Sequence, residues 1–132
     1  MKLPRWLLIG LCIGCIAKAA EAGLQVSEVA KNTWVAQGAA ALGTTANRNF
    51  ISNAGFIVTD AGVVVIDALG SPAMASELLA EIRRVTQQPL RYVIVTHYHA
   101  DHIYGLQVFK AAGATLLAHD GARTYLNSET AQ

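Results

Sequence analysis

The stretch "YVIVTHYHADHIYG", residues 92–105, places three of the chain's four histidines and one carboxylate within the span from His97 to His102. Its first part, with the β-branched core Val93-Ile94-Val95, reads as a buried strand over Leu90 to Val95. Residues two apart in an extended segment point to the same side. His97 and His99, leaving the strand end, can therefore grip one ion together while Tyr98 turns away. Asp101 and His102 come after the chain has begun to turn, so they can face a neighbouring ion. Neutral imidazole and carboxylate are ordinary ligands for Zn²⁺, and a strand-to-helix loop is a common place for a site.

A solvated loop is the bland alternative, but three imidazoles this close repel one another on protonation and gain nothing without a metal or carboxylate partner. The spacing also excludes two other histidine motifs. A nucleotide-binding histidine triad would need a third histidine where Asp101 stands, and no H-E-x-x-H occurs for a zinc-protease helix.

Upstream, "GFIVTDAGVVVIDAL" (residues 55–69) predicts a hairpin, with strands Phe56 to Thr59 and Val63 to Asp67 around the turn-type insert Asp60-Ala61-Gly62. A helix follows. Ser71 can cap its free amides, Pro72 suits its first position, and Met74, Leu78, Ile82 and Val85 form one apolar stripe. Glu77 and Glu81 precede Arg83 and Arg84, in keeping with the helix dipole, and Pro89 is expected to end the helix. Beyond the histidines, a second helix is expected from Ile103 to Ala112, stopped by Gly113, and then a strand over "TLLAH", residues 115–119. "LQVSEVA" and "NTWVAQG" are short candidate strands nearer the N-terminus. Strand, helix, strand, helix, strand argues an α/β layer arrangement.

The chain has 132 residues, 53% hydrophobic and 14% charged, with formal net charge +1. That balance offers no basic surface for nucleic acid and no acidic tail. Residues 1–22 read as an export signal: Lys2 and Arg5, then the apolar run Trp6 to Ala17, then small-residue sites ending at Ala22. The run is shorter than the roughly 20 residues a bilayer requires, so no stable span is expected after cleavage. Both cysteines, Cys12 and Cys15, lie in this segment, and lipid anchoring at Cys15 is the minor alternative to a cleaved periplasmic or secreted product. Cleavage after Ala22 leaves one domain, residues 23–132, with no disulfide and no thiolate ligand.

Thr96-His97-x-His99-x-Asp101-His102, with Gly105 three residues on, resembles the T-H-x-H-x-D-H signature of the metallo-β-lactamase superfamily. The preceding hairpin, helix and "RYVIVTH" strand are similar to that family's N-terminal half in order and spacing. "SNAGFIVTDAGVVVIDALG", together with the export signal, looks like the zinc hydrolases associated with periplasmic quinoprotein relay systems. The resemblance implies an αββα sandwich, two facing sheets with helices outside, with a two-zinc site at one edge. By carry-over, His97 and His99 would ligate the first zinc, and Asp101 and His102 the second. A hydroxide held by zinc would attack an ester, thioester or lactam of a small-molecule substrate, with Asp101 orienting it and handling its proton. Asp67, at the end of "VVVID", would stand behind the ligands and fix their orientation by hydrogen bonding. His119, in "LLAHDGAR", follows the motif too soon for the family's next metal histidine and is expected to be structural or superficial.

The family's remaining ligands lie in its C-terminal half. After Asp120, "GARTYLNSETAQ" offers only Glu129 as a donor, so each zinc would have two protein ligands where catalytic sites usually have at least three. Alternate members of Phe56, Val58, Val64 and Ile66 would also face solvent or a partner where the second sheet should pack. The sequence therefore reads as the N-terminal half of a longer, truncated hydrolase: either part of an active enzyme or a zinc-binding remnant without turnover, with self-association through the exposed face as a further expectation.

Overall fold

A computed structural model describes residues 23–126 and Ser128. The export-signal reading of residues 1–22, with Cys12 and Cys15, and the donor Glu129 lie outside the described residues. No described helix is long and apolar enough to cross a membrane.

Six strands form one sheet in chain order: β1 (Ser27–Ala30), β2 (Thr33–Ala36), β3 (Ala54–Thr59), β4 (Gly62–Ile66), β5 (Leu90–Ile94) and β6 (Thr115–Leu117). The first four run antiparallel; β4, β5 and β6 are parallel. Parallel neighbours need crossovers. Here α1 (Pro72–Val85) joins β4 to β5, and α2 (Ala100–Ile103) with α3 (Leu106–Ala111) joins β5 to β6. A short α4 (Ala122–Leu126), not expected from the sequence, follows β6.

The β3–β4 hairpin turns where expected, and its chemistry is local. The Thr59 hydroxyl donates to the Gly62 carbonyl at 2.7 Å. Gly62 adopts φ +129°, and a Cβ there would lie 2.5 Å from the Pro89 carbonyl, so only glycine fits. The start of α1 also follows the sequence, with Ser71 Oγ accepting from the Met74 amide at 3.2 Å and Pro72 in the first turn. Its end does not wait for Pro89. Thr86 turns extended while its amide still donates to Ile82 O, and its hydroxyl accepts from the Gln88 amide at 3.1 Å.

Two other expectations shift. The single helix over Ile103 to Ala112 is in fact α2 and α3, which start earlier and break at Gly105. The Gly105 amide donates to Leu69 O at 3.2 Å. A Cβ at this glycine would sit 1.9 Å from the Ala68 carbonyl oxygen, so the helix layer lies directly on the loop after β4. The "TLLAH" strand stops at Leu117, leaving Ala118 and His119 in the loop before α4.

The sheet has two unlike faces. Trp34, Phe56, Val65 and Val93 line up across β2 to β5, with Trp34 stacked on Phe56 at 5.0 Å between ring centroids. Phe56, Val65 and Val93 are fully buried with Leu78, Ile82 and Phe109 of the helices. The next rows, Ile57–Val64–Tyr92 and Ile66–Ile94–Leu117, belong to the opposite face. Ile57, Tyr92, Ile94 and Leu117 there are 37–43% exposed. Of the four residues singled out from the sequence, Phe56 is buried while Val58, Val64 and Ile66 are half-buried.

Candidate metal centre

The parallel strands β4 and β5 end side by side, and the site is built on the loops that leave them. Asp67 follows β4 directly, with its amide donating to Ile94 O on β5 at 2.9 Å. Asp67 and Leu69 both take left-handed backbone conformations, φ +59° and +64°, at a cost of about 1–2 kcal/mol each for residues with a Cβ. The surrounding contacts hold them there. The Ala68 amide donates to His102 O at 2.8 Å, and the Ser52 hydroxyl donates to Asp101 O at 2.5 Å. The loop before β3, the loop after β4 and helix α2 are thereby fastened together beneath the histidines.

Asp67 is 4% exposed and accepts on both carboxylate oxygens. Oδ1 takes the Thr96 amide at 2.8 Å; Oδ2 takes the Thr96 hydroxyl and His102 Nδ1, each at 2.7 Å. A carboxylate can only accept, so the proton of His102 sits on Nδ1 and its Nε2 faces outward. That Nε2 lies 3.5 Å from Asp101 Oδ2. Two acceptors this close call for a cation or a proton between them.

The other pair is similar. His97 Nε2 and His99 Nδ1 lie 3.2 Å apart, although Tyr98 separates the two residues in sequence. The His97 ring also lies against that of His102, with centroids 4.0 Å apart. Two ligands on one tetrahedral zinc, with bonds of about 2.0–2.2 Å, stand about 3.3–3.6 Å apart. The Asp101–His102 separation of 3.5 Å lies within that span, and the His97–His99 separation of 3.2 Å lies just below it, at hydrogen-bond distance.

Donor atoms of Asp67, His97 and His102 also lie within 4.8 Å of one another, a triad that could hold a metal. Asp67 is the less suited member, because hydrogen-bond donors already engage both of its oxygens. Its hydrogen bonds fix the His102 ring and the Thr96 side chain, the arrangement of a buried carboxylate behind a histidine.

His119 stays outside the cluster: its Nδ1 accepts from the Gly121 amide at 3.1 Å, shaping the turn into α4. Two clefts flank the histidines. One, of about 380 Å³, is lined by Thr96, His97, Tyr98 and Tyr125. The other, of about 530 Å³, runs from the open sheet face to Asp67 and His102. Sequence reasoning missed Ser52, which lies in a loop without periodic signal and whose partner is a backbone carbonyl 49 residues away.

Comparison with known proteins agrees with this geometry. Residues 47–126, more than half of the chain, match the Metallo-beta-lactamase superfamily profile. The type 2 metallo-beta-lactamase of Bacillus cereus is 30% identical over 101 residues, covering 76% of this chain and 38% of that enzyme. A linear primary-alkylsulfatase of a Pseudomonas species is 33% identical over 48 residues, 36% of this chain and 9% of that protein. A metallo-beta-lactamase structure from Pontibacter korlensis superposes with a TM-score of 0.67 at 18% identity, over 83% of this chain and 49% of that one. The chain thus spans less than half the length of each of these proteins. With one profile over most of the described residues and a shared fold in this half, the chain belongs to the metallo-beta-lactamase superfamily.

Proposed function

We propose that this chain is part of an exported zinc-dependent hydrolase. In this reading His97 and His99 hold one zinc ion, and Asp101 and His102 hold a second. The observation that carries it is the pairing of donor atoms side by side, His97 Nε2 with His99 Nδ1 at 3.2 Å and His102 Nε2 with Asp101 Oδ2 at 3.5 Å. Zinc in such a site supplies a Lewis acid and a water acidic enough to act as nucleophile near neutral pH. Asp101 orients the attacking water and takes its proton. Asp67 keeps His102 aimed, and the cleft that reaches both from the open face admits a small molecule with an ester, thioester or lactam bond. Export is supported by the charged, apolar and small-residue order of residues 1–22. The run "SNAGFIVTDAGVVVIDALG" supports the narrower placement among hydrolases of periplasmic quinoprotein relay systems. The partly exposed apolar side chains of the open face, Ile57, Tyr92, Ile94 and Leu117, support pairing with a second copy of the chain.

Two protein donors per ion among the described residues favour a second reading, a zinc-binding protein without turnover, because catalytic zinc normally keeps three protein ligands and one open position. Native mass spectrometry of the product exported by a bacterial host addresses both readings. The expected species begins at Gly23 and takes up zinc that the His97→Ala/His99→Ala double variant does not. Equal zinc uptake by the two proteins would remove the metal assignment. If the wild-type chain binds zinc and opens a chromogenic ester, thioester or lactam, the second reading falls; zinc uptake without turnover assigns the second reading to this chain by itself.

A further inference from the structure

Thr96 contributes two hydrogen bonds to Asp67 and one contact to His97, and the proton count of that chain has a consequence. A threonine hydroxyl has one proton and two lone pairs. Its proton is directed at Asp67 Oδ2, 2.7 Å away, on a carboxylate that can only accept. The same oxygen lies 3.0 Å from His97 Nδ1. With its proton already committed, Thr96 Oγ1 can only accept there, so His97 Nδ1 must carry hydrogen. Neutral imidazole then leaves its lone pair on Nε2, the nitrogen that faces His99.

We propose that Thr96 is a positioning residue: it relays the acceptor character of buried Asp67 to His97 and holds that ring in the Nδ1–H tautomer, with Nε2 free to take a metal. One carboxylate thereby prepares a histidine of each pair. It acts on His102 directly at 2.7 Å and on His97 through the Thr96 hydroxyl. Asp67 and Thr96 are connected twice, because the Thr96 amide also donates to Oδ1 at 2.8 Å, which holds the backbone that carries the hydroxyl against the carboxylate. The inference rests on the zinc reading for its purpose, while the tautomer itself is a property of the metal-free chain.

The test reads the tautomer and the metal separately. Long-range proton–nitrogen correlation spectra of the metal-free chain, at a pH where the imidazoles are neutral, distinguish Nδ1–H from Nε2–H rings. His97 is expected as Nδ1–H in the wild type and in Thr96→Ser, which keeps the hydroxyl. Thr96→Val removes the acceptor, so the His97 proton is expected to move toward Nε2, where His99 Nδ1 can accept it. Zinc affinity should fall about 10-fold or more in Thr96→Val and return in Thr96→Ser. An Nε2–H ring at His97 in the wild type would overturn the proposal, as would an unchanged Nδ1–H ring in Thr96→Val. If the valine variant does not fold, the wild-type spectrum and the serine variant still decide. Nδ1–H at His97 in a chain that takes up no zinc would leave the relay standing and remove the metal reading; zinc uptake with the other tautomer would do the reverse.

Discussion

The two faces of the sheet have nearly the same apolar composition and opposite surroundings. Phe56, Val65 and Val93 lie under helices α1 and α3 and are at most 1% exposed. On the reverse side, Ile57, Tyr92 and Ile94 are more than a third exposed. Alternation along a strand tells which residues share a face; it does not tell which face finds a cover. Both faces being apolar is the pattern of a sheet meant to be covered twice, and the described helices α1 and α3 pack on one side.

The largest contrast should come from emptying the covered face. Leu78, fully buried on α1, is expected to lose about 3 kcal/mol of folding stability in Leu78→Ala, read as a lower urea midpoint. A loss below about 1 kcal/mol would mean that α1 is not packed as described.

A smaller effect, and one that depends on pH, belongs to the clamp that ties the N-terminal segments to the covered side. Glu77 of α1 accepts from Arg48 through both carboxylate oxygens and from the Leu24 amide at 2.8 Å. The Arg48 hydrogen bonds hold its carboxyl below the usual glutamate range, and the Leu24 amide adds to that, against an opposing push from burial. A carboxyl depressed by folding stabilises the protein above its unfolded pKa, about 4.3, and that contribution disappears as pH falls through the lower folded value. Glu77→Gln is therefore expected to cost about 0.5–1 kcal/mol at pH 7, the pair being partly exposed, and nothing in strong acid. A deficit that persists unchanged below pH 3 would assign the loss to packing instead.

On the open face the expected change in the monomer is smallest. Ile57→Lys should alter folding stability by no more than about 0.5 kcal/mol, since lysine can reach water from a residue already 37% exposed. Sedimentation velocity should nonetheless show the wild-type chain self-associating and the variant shifted to monomer. A variant as destabilised as Leu78→Ala, or one that associates as before, would show that this face is neither open nor adhesive.

Local chemistry made a good part of the molecule legible in advance. Gly62 marks a turn that no residue with a side chain could make, Ser71-Pro72 starts a helix, and the period-two spacing of His97 and His99 puts two imidazoles on one side. Boundaries governed by distant contacts were not legible. Gly105 breaks the second helix because Ala68, 37 residues earlier, presses against it, and α4 forms without any apolar period to announce it.

The sequence by itself singled out His97, His99, Asp101 and His102 as candidate metal ligands, because ligand chemistry and strand spacing are properties of a few adjacent positions. Only the tertiary structure decided which of them Asp67 reaches. Asp67 stands 29 residues before Thr96 and 35 before His102. The parallel register that sets Ile66 beside Ile94 brings the two strand ends together and so closes those gaps. Hydrogen bonds act over about 3 Å. No spacing rule in a single chain segment can foresee which protons a distant carboxylate will claim.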